Sequence, residues 1–295
     1  MARRDEGPDG VVVVDKPAGW TSHDVVARAR RLLGTRRVGH AGTLDPDATG
    51  VLVLGVGRAT RLLRFVDGGS KRYRGVVVLG SATTTLDAAG EVVGEWDMAA
   101  VTLDEVRAAA EGFVGAIEQV PPMVSAVQIG GRRLHELARA GIEVDRPARP
   151  VTVHSLEVGE PVGPGRFPIE VECSTGTYVR VLAADLGTAL GGGAHLAELR
   201  RTAVGPFTLD DAVALDDLAP EGLRPPRALV DGLAVVEVDE GRALDVGHGK
   251  VLDATSLGAR GDGPWAVVDA AGALLAVYEA HRPGTVKPAV VLAGG

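Results

Sequence analysis

The spacing of apolar and polar residues near the start of the chain predicts a buried strand followed by an amphipathic helix. Gly10–Asp15 is a nearly unbroken apolar run, and Lys16–Gly19 has the composition of a turn. Thr21 or Ser22 can cap the helix that follows, and Gly34 would end it. Apolar residues recur on this helix at the spacing of one face: Val25, Val26, Ala29, Leu32 and Leu33.

Similar patterns predict strands and helices along most of the remaining chain. The predicted strands are Val51–Val56, Tyr73–Leu79, residues 122–129 and Ile169–Cys173. The predicted helices are a short basic one at Arg58–Arg64, one from a Thr102–Glu105 capping box to about Phe113, Leu134–Ala140, and Tyr178–Leu190. Residues 39–50 have neither the helical nor the strand period of apolar residues and are predicted to form a loop.

The last part of the chain has a different pattern, which predicts a second domain. Trp265–Ala280 reads as a hairpin that turns at Ala271 and Gly272, and Arg224–Arg227, with two prolines, is the best linker candidate. We therefore expect an α/β fold with a mixed sheet and flanking helices over residues 1–228. A small β domain is expected over residues 232–295.

Composition narrows the class of protein. The 295 residues are 45% hydrophobic and 24% charged, which is ordinary for a globular protein and argues against disorder. No apolar run approaches the ~18 residues of a membrane span, and no apolar stretch follows the basic N-terminus as in a signal peptide. Cys173 is the only cysteine, which excludes an internal disulfide and a multi-cysteine zinc site. We expect a cytoplasmic protein.

Charge is distributed unevenly, which changes the interpretation of the net charge. The chain carries −8, which alone argues against a nucleic-acid partner. Residues 1–75, however, hold 14 Lys or Arg and 8 Asp or Glu, a local net of +6, and the rest of the chain carries −14. A basic first quarter on an acidic body is typical of a surface that faces phosphates.

The loop at residues 39–50, with sequence GHAGTLDPDATG, is the strongest candidate for chemistry. It lacks the spacing of a phosphate-binding loop. It begins like a calcium loop at Asp45, but Val56 stands where that loop needs a bidentate glutamate, so calcium is rejected. Taken alone, Asp45 and Pro46 open a turn. A histidine, three glycines and a carboxylate in one loop after an arginine-rich helix favour a functional site instead.

This loop also carries a family resemblance. Gly39–Pro46 and Ala48–Leu52 resemble the catalytic motif of the TruB-type tRNA pseudouridine synthases. Further matching segments occur in order and at family spacing: Val14–Pro17, Lys71–Arg74, Pro121–Val127, Gly141–Val144 and Cys173–Arg180. The resemblance covers roughly residues 10–215, and many members carry a small PUA-like β module at the position of the C-terminal segment.

The resemblance implies that the chain isomerises the T-loop uridine at position 55 of tRNA to pseudouridine. The N1–C1′ bond breaks, the uracil turns, and a C5–C1′ bond forms. Because no redox change occurs and nothing leaves, the resemblance implies no cofactor, and we expect no metal site. Scattered histidines without ligand spacing agree with that expectation.

The resemblance also implies catalytic roles. Asp45 would be the nucleophile, attacking either the pyrimidine or the anomeric carbon. Arg180 would be its counter-charge, although without the resemblance a solvated helix face would be predicted for this arginine. Tyr73 would stack on the flipped uracil and move a proton late in the reaction. Asp87 would orient Arg180.

Substrate-binding roles follow from the same resemblance. Tyr178 and Leu199 would line the pocket, and His40 would fill the gap that the flipped nucleotide leaves in the RNA stack. The sequence departs from the family at Thr84, where an aspartate is usual, which puts a secondary charge network in doubt but not the nucleophile.

Two alternatives stay open beside the synthase. One is a catalytically idle protein that binds or remodels RNA on the same fold, against which the presence of Asp45, Tyr73 and Arg180 argues. The other is a guide-RNA-dependent pseudouridylase of the related archaeal and eukaryotic branch, for which no long basic tail is found. We therefore expect tRNA, through its T-arm, as the partner, with no membrane and no guide RNA. We also expect a monomer, because no apolar heptad is evident.

Overall fold

The computed structural model describes residues 7–125 and 127–292. These residues contain both strands and helices. The first strands and helices are β1 (Gly10–Lys16), α1 (Ser22–Leu32), β2 (Val38–Ala41), β3 (Thr49–Val56), α2 (Leu63–Asp67), β4 (Lys71–Leu79), β5 (Ser81–Thr83), β6 (Val92–Glu95), α3 (Leu103–Glu111) and β7 (Gly115–Gln119). The middle of the chain forms β8 (Gln128–Ile129), β9 (Arg132–Arg133), α4 (Leu134–Arg139), β10 (Arg149–Val158), β11 (Arg166–Cys173), α5 (Val179–Ala189), β12 (Ala194–Val204), β13 (Phe207–Thr208) and β14 (Ala212–Ala214). The last are β15 (Ala234–Glu237), α6 (Glu240–Gly247), β16 (Leu252–Asp253), α7 (Ala254–Leu257), β17 (Trp265–Val268), β18 (Leu274–Ala280) and β19 (Thr285–Val291).

Ten strands of the described residues form one mixed sheet. Its order is β14-β1-β3-β12-β4-β11-β10-β7, with β2 paired to β3 and β13 paired to β12. The pairs β1–β14 and β3–β12 are parallel, and the other pairs of this sheet are antiparallel. Helices α1, α3 and α5 contribute apolar residues to the cores that cover the sheet. The predicted α/β fold with a mixed sheet and flanking helices is confirmed.

Helices α1, α3, α4 and α5 lie where the sequence predicts them. The basic segment predicted as a helix at Arg58–Arg64 forms a 3₁₀ helix over Gly57–Leu62 that leads into α2, and α6 and α7 were not predicted. Thr21 caps α1 through a capping box with Asp24, and the buried face of the helix includes Val25, Val26 and Ala29. Thr102 and Glu105 form the predicted capping box at the start of α3. Helix α5 starts at Val179 and ends at Ala189, one residue inside each predicted end.

Three sequence predictions are wrong or incomplete. Of the residues predicted as loop, 39–41 belong to β2 and 49–50 belong to β3, because their backbones pair within the sheet. The predicted strand at 122–129 exists only as β8, and residue 126 lies outside the described residues. Strand β12 was not predicted at all, although it lies in the middle of the sheet. Its period is broken by register shifts between Ala197 and Arg200 and between Arg201 and Ala203.

A second sheet, in the order β15-β17-β18-β19-β16, occupies the end of the described chain, and the predicted hairpin of β17 and β18 is confirmed. The same apolar core includes Val53 of the large sheet and Val277 of the small one. The Arg58 Nη1 also donates to the Leu292 carbonyl at 2.7 Å. The boundary between residues 228 and 232 stays a prediction, and residues 1–6 and 293–295 lie outside the described residues.

Within the described ranges, no helix is both long enough and apolar enough to cross a membrane.

Candidate active site

The loop between β2 and β3 carries Asp45, and helix α1 holds this loop in place. The Ser22 hydroxyl accepts a hydrogen bond from the Leu44 backbone N–H at 2.9 Å and donates to the Leu44 carbonyl at 3.2 Å. The Ala48 N–H donates to the Asp45 carbonyl at 3.2 Å and closes a turn around Pro46. The backbone on both sides of the Asp45 side chain is therefore fixed by local hydrogen bonds.

Lys16, at the end of β1, also contacts the loop that carries Asp45. Its side chain is fully buried. The Nζ donates to the carbonyls of Trp20 at 2.5 Å, Pro46 at 2.7 Å and Pro17 at 3.0 Å. Burial lowers the pKa of Lys16 to about 8, although the nearby aspartates oppose that change. Sequence reasoning assigned no role to Lys16, and its only signal was its place in the Val14–Pro17 segment.

Asp45 and Arg180 form an ion pair in the interior of the fold. The Arg180 Nη2 lies 3.0 Å from the Asp45 Oδ1. The arginine side chain is 4% exposed, whereas that of Asp45 is 39% exposed. Arg180 lies in the first turn of α5. Because its side chain is buried, the solvated helix face that the local pattern alone suggests is wrong. The carboxylate thus has a buried counter-charge on one side and an opening on the other.

Three further contacts fix the Arg180 guanidinium. Its Nη2 donates to the Val124 carbonyl at 2.8 Å, and its Nη1 donates to the Thr85 carbonyl at 3.2 Å. The Nη1 also lies 3.5 Å from the Asp87 Oδ2. Asp87 is itself held by the Thr85 hydroxyl, which donates to its Oδ1 at 2.5 Å. A planar guanidinium with acceptors on both amino groups has one orientation available.

Thr84, the departure from the family pattern, does not contact this network. Its hydroxyl accepts from the Glu91 N–H at 3.1 Å, and its N–H donates to the Glu91 carbonyl. Thr84 therefore closes the turn between β5 and β6. The carboxylates that pair with Arg180 among the described residues are those of Asp45 and Asp87.

Opposing effects act on the pKa of the Asp45 carboxyl. Burial raises the pKa of this carboxyl above its ordinary value, and the Arg180 guanidinium opposes the rise. Asp87 adds a smaller effect that raises the pKa further. Such a shift, with a specific charge partner in a cleft, is typical of functional carboxylates.

A cavity of about 250 Å³ opens beside the ion pair. Asp45 and Arg180 form part of its wall, and the others that matter here are Tyr73, Tyr178, Leu199 and Lys71. Its volume approaches the lower end of small-molecule pockets, about 300–1,000 Å³. The structure therefore brings five sequence-predicted residues to one cavity: Asp45, Tyr73, Tyr178, Arg180 and Leu199.

Separate elements hold the cavity side chains. Tyr73 lies on β4 and is 8% exposed. Tyr178 is the N-cap residue of α5, and buried Gln119 clamps its backbone by accepting from the N–H at 2.7 Å and donating to the carbonyl at 3.2 Å. Leu199 follows Glu198, which has a φ of +55° at the bulge in β12. A bulge re-aims the side chains beside it, and here it turns Leu199 toward the cavity.

A second cavity of about 440 Å³ also borders the ion pair. Asp45, Arg180 and Leu199 line this cavity as well as the first, and Asp87 and Val124 complete the part nearest the pair. The Asp45 carboxylate can thus be approached through two openings.

His40 is the predicted site residue that lines neither of these cavities. It lies on β2, where its ring meets that of His23 edge to face, with ring centroids 5.6 Å apart. Asp87 lines only the second cavity. Among the residues described, no three His, Cys, Asp or Glu side chains cluster as metal ligands would.

Comparison with known proteins identifies the family that this chain resembles. Two family models match the chain: TruB family pseudouridylate synthase (N terminal domain) at residues 30–179, and tRNA pseudouridylate synthase B C-terminal domain at residues 180–223. Proteins called tRNA pseudouridine synthase B in Arthrobacter sp. (strain FB24) and Thermobifida fusca (strain YX) are each 48% identical to this chain. These matches cover 96% and 97% of this chain and 96% and 99% of the relatives.

Solved structures also resemble the chain. A chain of a Cbf5-Nop10-Gar1 complex superimposes with a TM-score of 0.73 at 29% identity, covering 92% of this chain and 78% of that one. A chain of an H/ACA RNP bound to a substrate RNA containing 2′-deoxyuridine gives a TM-score of 0.72 at 25% identity, covering 95% and 83%.

Proposed function

The chain belongs to the TruB family of pseudouridylate synthases, and we propose that its substrate is the T-loop uridine at position 55 of tRNA. Pseudouridine formation is an isomerisation, so the family makes this chain an isomerase that modifies tRNA. Asp45 acts as the nucleophile in this proposal, with the uridine flipped out of the RNA stack. The observation that carries the proposal is the half-exposed Asp45 carboxylate, paired with buried Arg180 at the wall of the cavity.

The ion pair suits a nucleophile that must stay ionised where water is scarce. Burial favours the neutral carboxyl, which cannot attack, and the Arg180 guanidinium favours the ionised one. The remaining Asp45 surface faces the cavity, so a uridine can approach the carboxylate without breaking the ion pair. Attack at C1′ or at the pyrimidine ring forms a bond from the Asp45 carboxylate to the substrate, and the N1–C1′ bond breaks with its electron pair going to the uracil. The uracil turns to present C5, and the C5–C1′ bond forms. The bond to Asp45 breaks and returns the free carboxylate, while N1 gains a proton and C5 loses one.

The other cavity residues supply binding and proton transfer. The Tyr73 ring offers a stacking face, and base–aromatic stacking is worth about 1–3 kcal/mol. Its hydroxyl is a candidate for moving the C5 proton, because it lines the same cavity as Asp45. Tyr178 contacts the base, and Leu199 closes the cavity against water. Asp87 keeps the guanidinium in place from the side away from the Asp45 carboxylate.

Base flipping assigns a role to His40 outside the cavity. A uridine that leaves a folded T-loop opens a gap in the RNA stack, and an aromatic ring can fill it. The edge-to-face contact with His23 supports the His40 ring. We propose that His40 enters that gap. It lines neither cavity, which suits a residue that contacts the RNA rather than the flipped base.

The basic first quarter of the chain provides the phosphate contacts. Arg31 is exposed on the helix α1, whose first turn holds the Asp45 loop, and Arg36 is exposed just after the end of this helix. Phosphate contacts of this kind make affinity fall as salt rises. We propose that the chain acts as a cytoplasmic monomer without guide RNA.

The experiment uses a T-arm transcript of tRNA with tritium at uracil C5, incubated with the purified chain alone. Release of tritium to water and a pseudouridine mapped to position 55 are the expected results. The matched substrate carries cytidine at position 55 and should release nothing from that site. Modification at another uridine, or activity only after a guide RNA and partner proteins are added, would contradict the proposed substrate or the proposed independence.

A further inference from the structure

Arg201, one residue from Arg200 on β12, is buried far more completely than ordinary arginines. Its side chain is the largest of the fully buried ones. No carboxylate pairs with it among the described residues, and backbone carbonyls accept its hydrogen bonds instead. The Nε donates to the Val51 carbonyl at 2.8 Å, and the Nη2 to the Gly42 carbonyl at 3.0 Å. The Nη1 lies 3.5 Å from the Thr43 carbonyl.

Burying a charge without an opposite charge costs several kcal/mol, and an apolar side chain of similar size would fill the same space at lower cost. The acceptors explain what Arg201 does there. Gly42 and Thr43 belong to the loop that carries Asp45, and both line the cavity. Arg201 therefore ties the central strand of the sheet to the cavity wall two residues before the nucleophile.

The close approach of β12 to β3 depends on Gly50. A Cβ at this position would lie 2.1 Å from the Arg201 carbonyl oxygen, and the φ of +100° also requires glycine. Gly50 thus allows the Arg201 backbone to lie directly against the end of the loop.

Tyr73 stands opposite Arg201 in the register of β4 and β12. Burial raises the pKa of the Tyr73 hydroxyl, and the charge of the Arg201 guanidinium opposes that rise. The other groups that act on this hydroxyl are Cys173 and Asp45, and both raise its pKa. Tyr73 lines the cavity and Arg201 does not. Arg201 can therefore act on the reaction through Tyr73 and not by touching the substrate.

We propose that Arg201 is a positioning residue, which holds the Tyr73 hydroxyl and the Gly42–Thr43 backbone in the geometry that the reaction needs. A guanidinium only donates hydrogen bonds, so a phenol oxygen beside it acts as the acceptor. The O–H proton of Tyr73 then points to another acceptor, and the open direction is the cavity. Arg201 thus sets the direction in which Tyr73 can give or receive a proton.

The first test reads the Tyr73 hydroxyl directly and does not depend on activity. The chain has three tyrosines, so protein labelled with ¹³C at tyrosine Cζ gives three resonances, assigned with Tyr→Phe variants. In Arg201→Gln we expect the Tyr73 resonance at pH 8 to move and that of Tyr278 to stay. Arg200→Gln is the matched control, because Arg200 pairs with Asp15 on the other face of the strand, and it should leave Tyr73 unchanged.

The second test measures chemistry and rests on the proposed function. Single-turnover tritium release by Arg201→Gln should fall by about 10- to 100-fold, with tRNA affinity within threefold of that of the unsubstituted chain. In a Tyr73→Phe background, the same substitution should cost less than it does alone, because the hydroxyl it positions is gone. If Arg201→Gln does not fold, Arg201→Lys takes its place, with a smaller loss because lysine keeps the charge and one donor direction.

The outcomes separate the two proposals. An unmoved Tyr73 resonance in a folded variant overturns the role of Arg201, and so does a single-turnover rate that stays within threefold. A loss of rate that is equal with and without the Tyr73 hydroxyl also overturns it. If the unsubstituted chain releases no tritium, the proposed function fails, while the resonance test still decides whether Arg201 positions Tyr73.

Discussion

Replacing Arg180 with methionine tests whether the buried guanidinium keeps Asp45 in its reactive form. Methionine keeps the length and apolar part of the side chain but removes the charge, the hydrogen bonds to Asp45 and the Val124 carbonyl, and the ion pair with Asp87. Two carboxylates are then left facing each other in a largely buried site. We expect the pKa of Asp45, already raised by burial, to rise further once its counter-charge is lost.

The size of the effect follows from the geometry. Unit charges about 4 Å apart attract by about 4 kcal/mol at an effective dielectric constant of about 20. The Asp45 side chain is 39% exposed, so solvent screens part of this attraction, and we take about 2 kcal/mol. At 1.36 kcal/mol for each tenfold change, the ionised fraction of Asp45, and with it the rate, should fall by up to roughly 30-fold on the acid limb of the profile, and by less at neutral pH.

The assay is single-turnover tritium release between pH 5 and 9, with circular dichroism to show that the variant is folded. A carboxyl with a raised pKa is protonated over more of the acid range, so the acid limb of the rate profile should move to higher pH. Part of the lost rate should return as the pH rises. Arg166→Met, which breaks the surface pair with Glu198, is the matched control and should leave the profile unchanged. An Arg180→Met profile with the same acid limb and a rate within threefold would refute this reasoning.

Other predictions concern the support of the site. Gly50→Ala should lower the melting temperature by more than 5 °C, because its Cβ would lie 2.1 Å from a carbonyl oxygen. Gly68→Ala, where a Cβ has open space, is the control and should change the melting temperature little. Equal melting temperatures of the two variants would contradict the packing. Gln119→Leu leaves the backbone N–H of Tyr178 without its partner, whereas the Tyr178 carbonyl still accepts from the N–H groups of Val181 and Leu182. Denaturant unfolding should therefore show a loss of about 1–3 kcal/mol, and an unchanged midpoint would contradict the clamp. Burial raises the pKa of Cys173 to about 11, so a thiol reagent at pH 8 should label only the unfolded chain; rapid labelling of the native chain would show that the thiol is accessible.

The sequence predicted the parts of the fold that depend on local pattern. Residues close together in the chain were enough to predict the buried strand at Gly10–Asp15, a cap at the start of α1, the Thr102–Glu105 capping box and the C-terminal hairpin, and each is present. The strand at Ala194–Val204 was missed because two register shifts interrupt its alternation, and because its sequence is rich in residues that also favour helices. The strand predicted at 122–129 was wrong because a short apolar run does not by itself specify a partner strand.

The residues of the candidate site likewise fall into those that the sequence could indicate and those that only the fold reveals. Asp45, Tyr73 and Arg180 could be named because they lie in segments that resemble a family, but their roles are predictions that need experiment. Buried support residues left little local signal. Arg201 looks like any basic residue in the sequence, and only the pairing of β12 with β4 places it opposite Tyr73. Gln119 gave no signal either, since its contact with Tyr178 joins residues 59 positions apart.

The nucleophilic role of Asp45 is tested most directly by Asp45→Asn in single-turnover tritium release from T-arm RNA, with filter binding measured alongside. Asparagine keeps the shape of the side chain but cannot act as a carboxylate nucleophile. We predict that the variant binds the RNA within threefold of the unsubstituted chain and releases no tritium. Asp47→Asn, a charge change at an exposed residue of the same loop, should retain release. Sustained release by Asp45→Asn, from protein shown by mass to carry the asparagine, would contradict the account.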